Sequence, residues 1–271
     1  MAGASIGSVV SLWRYPVKSM MGEELNASQV TERGLLGDRV YALLDPLTGK
    51  VVSAKNPPKW SRMFEFRASF LSPPETARTP PVRITLPDGA IVTSDRPEVG
   101  HVVSEALGRE VRFVSAAPEK PGLEEYWPNI EGLAHRETVT DEAMPPRTFF
   151  DAATVHILTT ATIDRLRDIY PEGRFEVRRF RPNIVVRPSG AEKGFVENNW
   201  AGRTLAIGDE VRVRVTVPCS RCVMTTLPQG DLPQDGGILR TAAKHNKTNV
   251  GVYAVVDHGG RIVRGDSVML V

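Results

Sequence analysis

Both cysteines of the chain lie in one segment, Pro218-Cys219-Ser220-Arg221-Cys222-Val223-Met224-Thr225-Thr226, where an alternating apolar run ends in a polar corner. Such a pair can take part in several chemistries. It can help to hold zinc, but a tetrahedral site needs about four ligands, and the histidines His101, His135, His156, His245 and His258 are not paired at finger spacing. It can form a redox dithiol, which sits where a strand meets a helix N-terminus; Val223-Met224-Thr225-Thr226-Leu227-Pro228 is a poor helix start. The thiols can be buried core residues, the usual fate of free cysteine. One can also be a thiolate ligand to a metal complex brought ready-made to the protein. Arg221 beside Cys222 then lowers the thiol pKa by favouring its charged form.

A thiolate beside a guanidinium suits an anionic cofactor, and other residues suit that anion too. They are Lys18 after Tyr15-Pro16-Val17, Arg39 in Gly37-Asp38-Arg39-Val40, and Arg181 with Asn183 in Phe180-Arg181-Pro182-Asn183-Ile184. Arginine forks and lysine point charges are the natural readers of phosphate. The chain as a whole has no such bias: 34 Lys and Arg face 32 Asp and Glu, a net charge of +2. No global field recruits nucleic acid or an anionic membrane. Two cysteines exclude a disulfide scaffold and a four-thiolate iron–sulfur cluster within this chain. The longest early apolar run, Ile6 to Trp13, is broken by Gly7, Ser8 and Ser11 and has no basic residue before it. It reads as a strand, neither a membrane span nor a secretory signal. The expectation is a soluble, cytoplasmic protein with no nucleic-acid or membrane partner.

The elements that must position these residues are mostly short β-runs bounded by Gly, Pro or Asp. In the first third they are Val9 to Tyr15, Val40 to Asp45, Val51 to Ala54, Met63 to Ser69, Val82 to Leu86 and Ala90 to Thr93, an antiparallel meander with turns at Asp45-Pro46-Leu47-Thr48-Gly49 and Pro87-Asp88-Gly89. A helix from about Pro97 stops at Gly108, and Val111 to Ser115 returns as a strand. From Ala116 to Phe150 periodicity vanishes among prolines, glycines and acidic residues, which reads as a linker or a functional lid. Tyr126 and Trp127 there offer flat apolar surface for an aromatic ligand. Then come a buried strand Thr154 to Leu158, a short helix capped by Thr160, and strands at Ile184 to Arg187, Thr204 to Ile207, Val211 to Val217, Val250 to Asp257, Arg261 to Val263 and Val268 to Val271, with a helix near Ile238 to His245. This half fits a β-barrel better than βαβ units. Gly-Asp-x-Val at 37–40, 208–211 and 265–268 reads as a turn feeding a strand.

Tyr15-Pro16-Val17-Lys18-Ser19, Gly37-Asp38-Arg39, Phe180-Arg181-Pro182-Asn183-Ile184 and Cys219-Ser220-Arg221-Cys222 with Thr225-Thr226, in that order, resemble the signature of MOSC-domain proteins. The name denotes the C-terminal domain of molybdenum cofactor sulfurase. The likeness is strongest to the branch with an N-terminal β-barrel extension, which includes the mitochondrial amidoxime-reducing components and bacterial relatives.

The resemblance implies a mainly β fold with a few short helices. An N-terminal antiparallel β-barrel-like domain at residues 1–120 packs, across a linker or lid at 121–150, on a C-terminal MOSC β-barrel at 151–271. It implies that Cys222 binds molybdenum through its thiolate, and that Lys18, Ser19, Arg39, Arg181, Asn183, Ser220 and Arg221 hold the pterin and its phosphate. Thr159 and Tyr253 fall where the family also lines the pocket, and Cys219 is structural. The function implied is a molybdenum-cofactor (molybdopterin) oxidoreductase reducing N-hydroxylated small molecules. Its electrons come from a separate flavin, iron–sulfur or haem protein. Two rivals use the same residues differently: a carrier delivering the cofactor, or sulfur as a Cys222 persulfide, to another enzyme, and a non-catalytic barrel with a cysteine core.

Overall fold

The computed structural model describes residues 4–191 and 193–271. Val211, Val213 and Val215 bury one face of a strand as their alternation requires. That strand is a stave of a closed barrel whose seven strands are β1 (Ala4–Arg14), β2 (Val155–Thr159), β3 (Ile184–Pro188), β4 (Thr204–Ile207), β5 (Val211–Ser220), β6 (Asn249–His258) and β7 (Ser267–Leu270). Their spatial order is β3-β2-β6-β5-β4-β7-β1, and β1 pairs back onto β3 to close the ring. Every pairing is antiparallel except β2–β3. A parallel pair needs a crossover, and the helix Thr160–Ile169 lies in this one. The interior is filled by branched residues such as Val9, Leu12, Ile157, Ile184, Leu205 and Val252.

The alternation of β5 does not run through to its end. The pairing with β6 shifts register between Val215 and Pro218, where proline has no N–H to give the ladder. Val217, expected inside, is therefore 54% exposed, while Cys219 is fully buried.

Strand pairing crosses the expected division into residues 1–120 and 151–271. β1, the first strand of the chain, belongs to the C-terminal barrel, and strand Ala27–Thr31 pairs with Gly260–Val263. The rest of the N-terminal half is built from small sheets. Arg67–Phe70, Val82–Thr85 and Ile91–Thr93 form the expected meander, and Ala42–Leu44 pairs with Arg112–Val114. The helix Val99–Leu107 ends at Gly108, whose φ of 68° takes the left-handed cap. The expected strand from Met63 is shortened, because Ser61–Glu65 is a 3-10 turn ahead of Arg67–Phe70, and the expected strand at Val51 fails, since Val51 makes only an isolated bridge to Leu44. The N-terminal core of Met20, Leu43, Trp60, Phe66, Ile84 and Val103 also takes in Met224 and Leu227, so the two halves share one interior beside Cys222.

The aperiodic segment expected to be a linker or a lid contains a six-pair antiparallel hairpin, Gly122–Trp127 with Thr138–Ala143. Tyr126 N–H donates to the Lys55 carbonyl at 2.8 Å, and Lys55 and Lys59 reach its Glu125 and Glu124 at 3.0 and 3.1 Å.

The seam between β1 and β3 supplies a test. A Cβ at Gly7 would press on the Arg187 carbonyl and lie 2.9 Å from Val186 Cγ1. Gly7→Ala is therefore expected to destabilise the fold by about 1–3 kcal/mol, the usual penalty of overpacking. Urea denaturation reads it, and an unchanged midpoint would show that the seam does not hold the barrel closed.

Candidate functional site

Four chain segments far apart in sequence converge where the barrel meets the N-terminal sheets. The corner after β1 is pinned to the Gly37-Asp38-Arg39 turn: Tyr15 N–H donates to Asp38 Oδ1 at 2.7 Å, Arg39 N–H to the Tyr15 carbonyl at 2.8 Å, and Lys18 N–H to the Tyr41 carbonyl at 2.9 Å. Asn183, at the start of β3, ties the third segment in. Its Nδ2 donates to Asp38 Oδ2 at 3.0 Å, and its Oδ1 accepts from His156 N–H at 3.1 Å. Ser19, Arg39 and Arg181 all hold left-handed backbone, with φ of 64°, 50° and 53°. A non-glycine residue in that region costs roughly 1–3 kcal/mol and persists only where its surroundings over-determine it.

The side chains of Lys18, Ser19, Arg39, Arg181, Arg221 and Tyr253 face one cavity, with Asn183 in its wall. Four cations and one carboxylate, Asp151, line it. Lys18 forms an ion pair with Asp151, and its ammonium donates to the Phe149 carbonyl at 2.9 Å. Burial draws Lys18 down to about 8 against the pull of Asp151. Burial works against ionised Asp151, yet Lys18 and Lys55 hold its carboxyl well below the usual range. Arg39 pairs with Asp38. Arg181 lies 4.1 Å over the Tyr15 ring and donates Nη1 to the Met20 carbonyl at 2.7 Å. Its Nη2 and the Nε of Arg221 are buried without a partner. Leaving a buried charged donor unpaired is expensive, so these two atoms are free to meet the acceptors of a ligand. The surplus of cations in the lining suits an anion.

The two thiols divide differently from the expectation. Arg221 does not turn to Cys222: its Nη1 donates to Cys219 Sγ at 2.6 Å and its Nη2 to the Phe180 carbonyl at 2.9 Å. Burial opposes a Cys219 thiolate, but Arg221 and His156 bring its pKa down to about 6. Burial and Glu125 instead push the Cys222 thiol up to about 11, against Lys55 and Arg221. Half-buried Cys222 lies outside the lining of the cavity, while its neighbours Arg221 and Met224 are in it. No group of three or more His, Cys, Asp or Glu side chains capable of holding a metal ion occurs among the described residues.

A family model of the MOSC domain matches residues 145–269, and one of the MOSC N-terminal beta barrel domain matches residues 6–106. The chain is a MOSC-domain protein. It is 25% identical over 297 residues to mitochondrial amidoxime-reducing component 1 of Homo sapiens, covering 98% of this chain and 83% of the relative. It is 26% identical over 243 residues to mitochondrial amidoxime reducing component 2 of Macaca fascicularis, covering 82% and 67%. Among solved structures, the YUAD protein of Bacillus subtilis aligns over 97% of this chain and 94% of its own with a TM-score of 0.47 and 10% identity. No helix among the described residues of this MOSC protein is long and apolar enough to cross a membrane.

Besides Cys222, two expected site residues of the MOSC protein stand apart from the cavity. Thr159, not Thr160, caps the helix Thr160–Ile169 by accepting from Thr162 N–H at 3.2 Å, and it donates its hydroxyl to Glu197 Oε2 at 2.7 Å. Ser220 is exposed, with its hydroxyl 2.7 Å from that of Thr248. Three residues went unforeseen: Asp151 and His156 in the cavity wall, and Lys55, 3.7 Å from Asp151. None sits in a motif. Asp151 follows the aperiodic stretch directly, and only its neighbours in space give it meaning.

The Thr159 network predicts a pH effect. Glu197 is fully enclosed, accepts from the Thr159 and Thr162 hydroxyls at 2.7 Å each, and has its pKa raised above the ordinary 4.5 by burial. A raised folded-state pKa gives stability that is complete below the unfolded value and lost as pH rises through the folded one. Glu197→Gln removes that loss, so its urea midpoint is expected to vary less with pH above 4.5 than that of the wild type. Parallel pH profiles would show that Glu197 does not titrate with folding.

Proposed function

We propose that this chain is a molybdenum-cofactor-dependent oxidoreductase that reduces N-hydroxylated small molecules with electrons from a separate redox protein. A role connected with the molybdenum cofactor draws support from the MOSC domain, and the reductase reading draws on relatives named as amidoxime-reducing components. The observation that carries it is the pair of buried, unpartnered guanidinium atoms, Arg181 Nη2 and Arg221 Nε, in a cation-rich cavity next to Cys222. Hard donors suit a phosphate and a soft sulfur suits molybdenum, so the two halves of a metal–pterin phosphate find matching residues.

In this reading Cys222 is the protein's ligand to the metal. Lys18, Arg39 and Arg181 hold the phosphate end, with Ser19, Asn183, Arg221 and Tyr253 around the pterin. When bound, the cofactor supplies two-electron chemistry at molybdenum, and two electrons with two protons convert N–OH to N–H and water. The chain's share is to neutralise the anion, fix its orientation and carry charge near the reacting centre. Lys55, between Asp151 and Glu125, keeps its proton: burial works against the ammonium, but these carboxylates and Cys222 hold its pKa well above the usual value. It is a fixed positive charge, suited to stabilising an anion.

The carrier alternative also uses a Cys222 thiolate, so the upward push that burial gives this thiol favours neither reading. The test is molybdenum and pterin analysis of protein expressed with ample molybdate, followed by turnover of benzamidoxime with an artificial reductant. Stoichiometric cofactor with repeated turnover supports the reductase. Cargo lost to an acceptor without turnover makes the chain a carrier, and absence of molybdenum overturns both the reductase and the cofactor carrier.

A further inference from the structure

Arg179 has no place in the site described above, yet it is among the largest fully buried side chains of the molecule. It forms no ion pair among the described residues. Its whole fork is spent on backbone carbonyls: Nε on Arg174 at 2.9 Å, Nη1 on Thr225 at 3.3 Å and Leu227 at 3.1 Å, and Nη2 on Pro233 at 2.8 Å. Two of these carbonyls belong to the turn that Cys222 begins. That turn, the 3-10 helix Val223–Thr226 with Cys222 at its N-cap, is too short to satisfy its own last carbonyls. The Cys222 carbonyl accepts from Thr225 N–H at 3.2 Å, that of Val223 from the Thr226 hydroxyl at 2.7 Å, that of Met224 from Leu227 N–H at 3.4 Å, and that of Thr226 from Asp235 N–H at 2.8 Å. Thr225 and Leu227 remain, and Arg179 closes both.

The residues next to Arg179 hold the other side of Cys222. The Phe180 carbonyl receives Arg221 Nη2 at 2.9 Å, and Arg181 Nη1 reaches the Met20 carbonyl at 2.7 Å in the corner that carries Lys18 and Ser19. Three consecutive residues thus grip the turn after Cys222, the arginine before it, and the cation corner opposite. We propose that Arg179 is a positioning residue that fixes the Cys222 sulfur against the anion-binding cations by locking the turn at residues 222–227. This rests on Cys222 being the metal-binding thiol, but its test reads the thiol itself and needs no cofactor.

The experiment compares Arg179→Lys, which keeps a charge but not the fork, with Leu205→Ala, which loosens the barrel core in β4. Both are alkylated with N-ethylmaleimide at equal distances below their melting temperatures, and peptide mass analysis separates Cys222 from Cys219. Arg179→Lys is expected to speed Cys222 alkylation roughly tenfold over Leu205→Ala, the size of losing one charge-assisted bond to a closed turn. Equal rates overturn the clamp. Wild-type amide exchange supplies the second measurement, and it decides alone if Arg179→Lys does not fold: residues 222–227 are expected to exchange as slowly as the barrel strands, and loop-like exchange overturns the proposal. Molybdenum retained by Cys222→Ser would sink the ligand reading and leave the alkylation result untouched.

Discussion

Replacing Cys222 with serine is expected to leave a folded chain that carries no stoichiometric molybdenum. Reductase activity should fall by more than the roughly 100-fold that losing an outer partner of a metal ligand costs. A hydroxyl is a hard, weakly acidic donor and a poor substitute for a soft thiolate at molybdenum. The fold should tolerate the change because Cys222 is half-buried at the N-cap of a short turn, where serine is a favoured residue. Cys219→Ser is the informative partner. Cys219 is fully buried and bonded to Arg221, so its loss should lower stability by about 1–3 kcal/mol and spare molybdenum. Metal content and thermal melting measured on both variants separate the roles. Equal activity in wild type and Cys222→Ser would remove Cys222 from the site.

The different fates of the two thiols follow from a periodicity visible in the sequence but hidden by adjacency. Arg221 is next to Cys222 along the chain, which suggests the pairing of those two. In extended backbone, however, residues i and i+2 share a face, and β5 runs to Ser220. Arg221 therefore lies with Cys219, and Cys222 starts the next turn. The barrel strands were legible for a related reason: Val211, Val213 and Val215 alternate cleanly against polar neighbours. The hairpin at Gly122–Trp127 was not, because a core-facing position in it is Glu125, buried and paired with Lys55. A carboxylate on the inward face erases the pattern that marks a strand. Met63 and Phe64 erred the other way, since a short apolar run reads alike as strand or turn, and here both are buried in a 3-10 turn. Lys18, Arg39 and Arg181 stand out through their motifs. Asp151, His156 and Lys55 join them only through long-range packing, which no local spacing records.

Arg181→Ala is expected to weaken retention of the anionic cofactor about 10- to 100-fold. A charge-assisted hydrogen bond contributes roughly 1.5–3 kcal/mol, and each 1.4 kcal/mol is about tenfold in affinity. Burial lowers the Arg181 pKa only to about 10, so the guanidinium stays charged at neutral pH. One nitrogen is spent on the Met20 carbonyl and another has no protein partner, so the side chain supplies an anion contact without giving up its anchor. The same substitution strands the Met20 carbonyl and removes the cation over Tyr15, so a stability loss accompanies it and must be separated from binding. Arg181→Lys does this. It restores charge but not the fork, and it should recover part of the retention while leaving the Met20 contact imperfect. Because the site is buried, the Arg181→Ala defect should change little between low and moderate salt, unlike that of a surface charge. Molybdenum and pterin per chain after extended dialysis measure it. Full retention by Arg181→Ala would mean that the buried, unpartnered nitrogen does not face the cofactor.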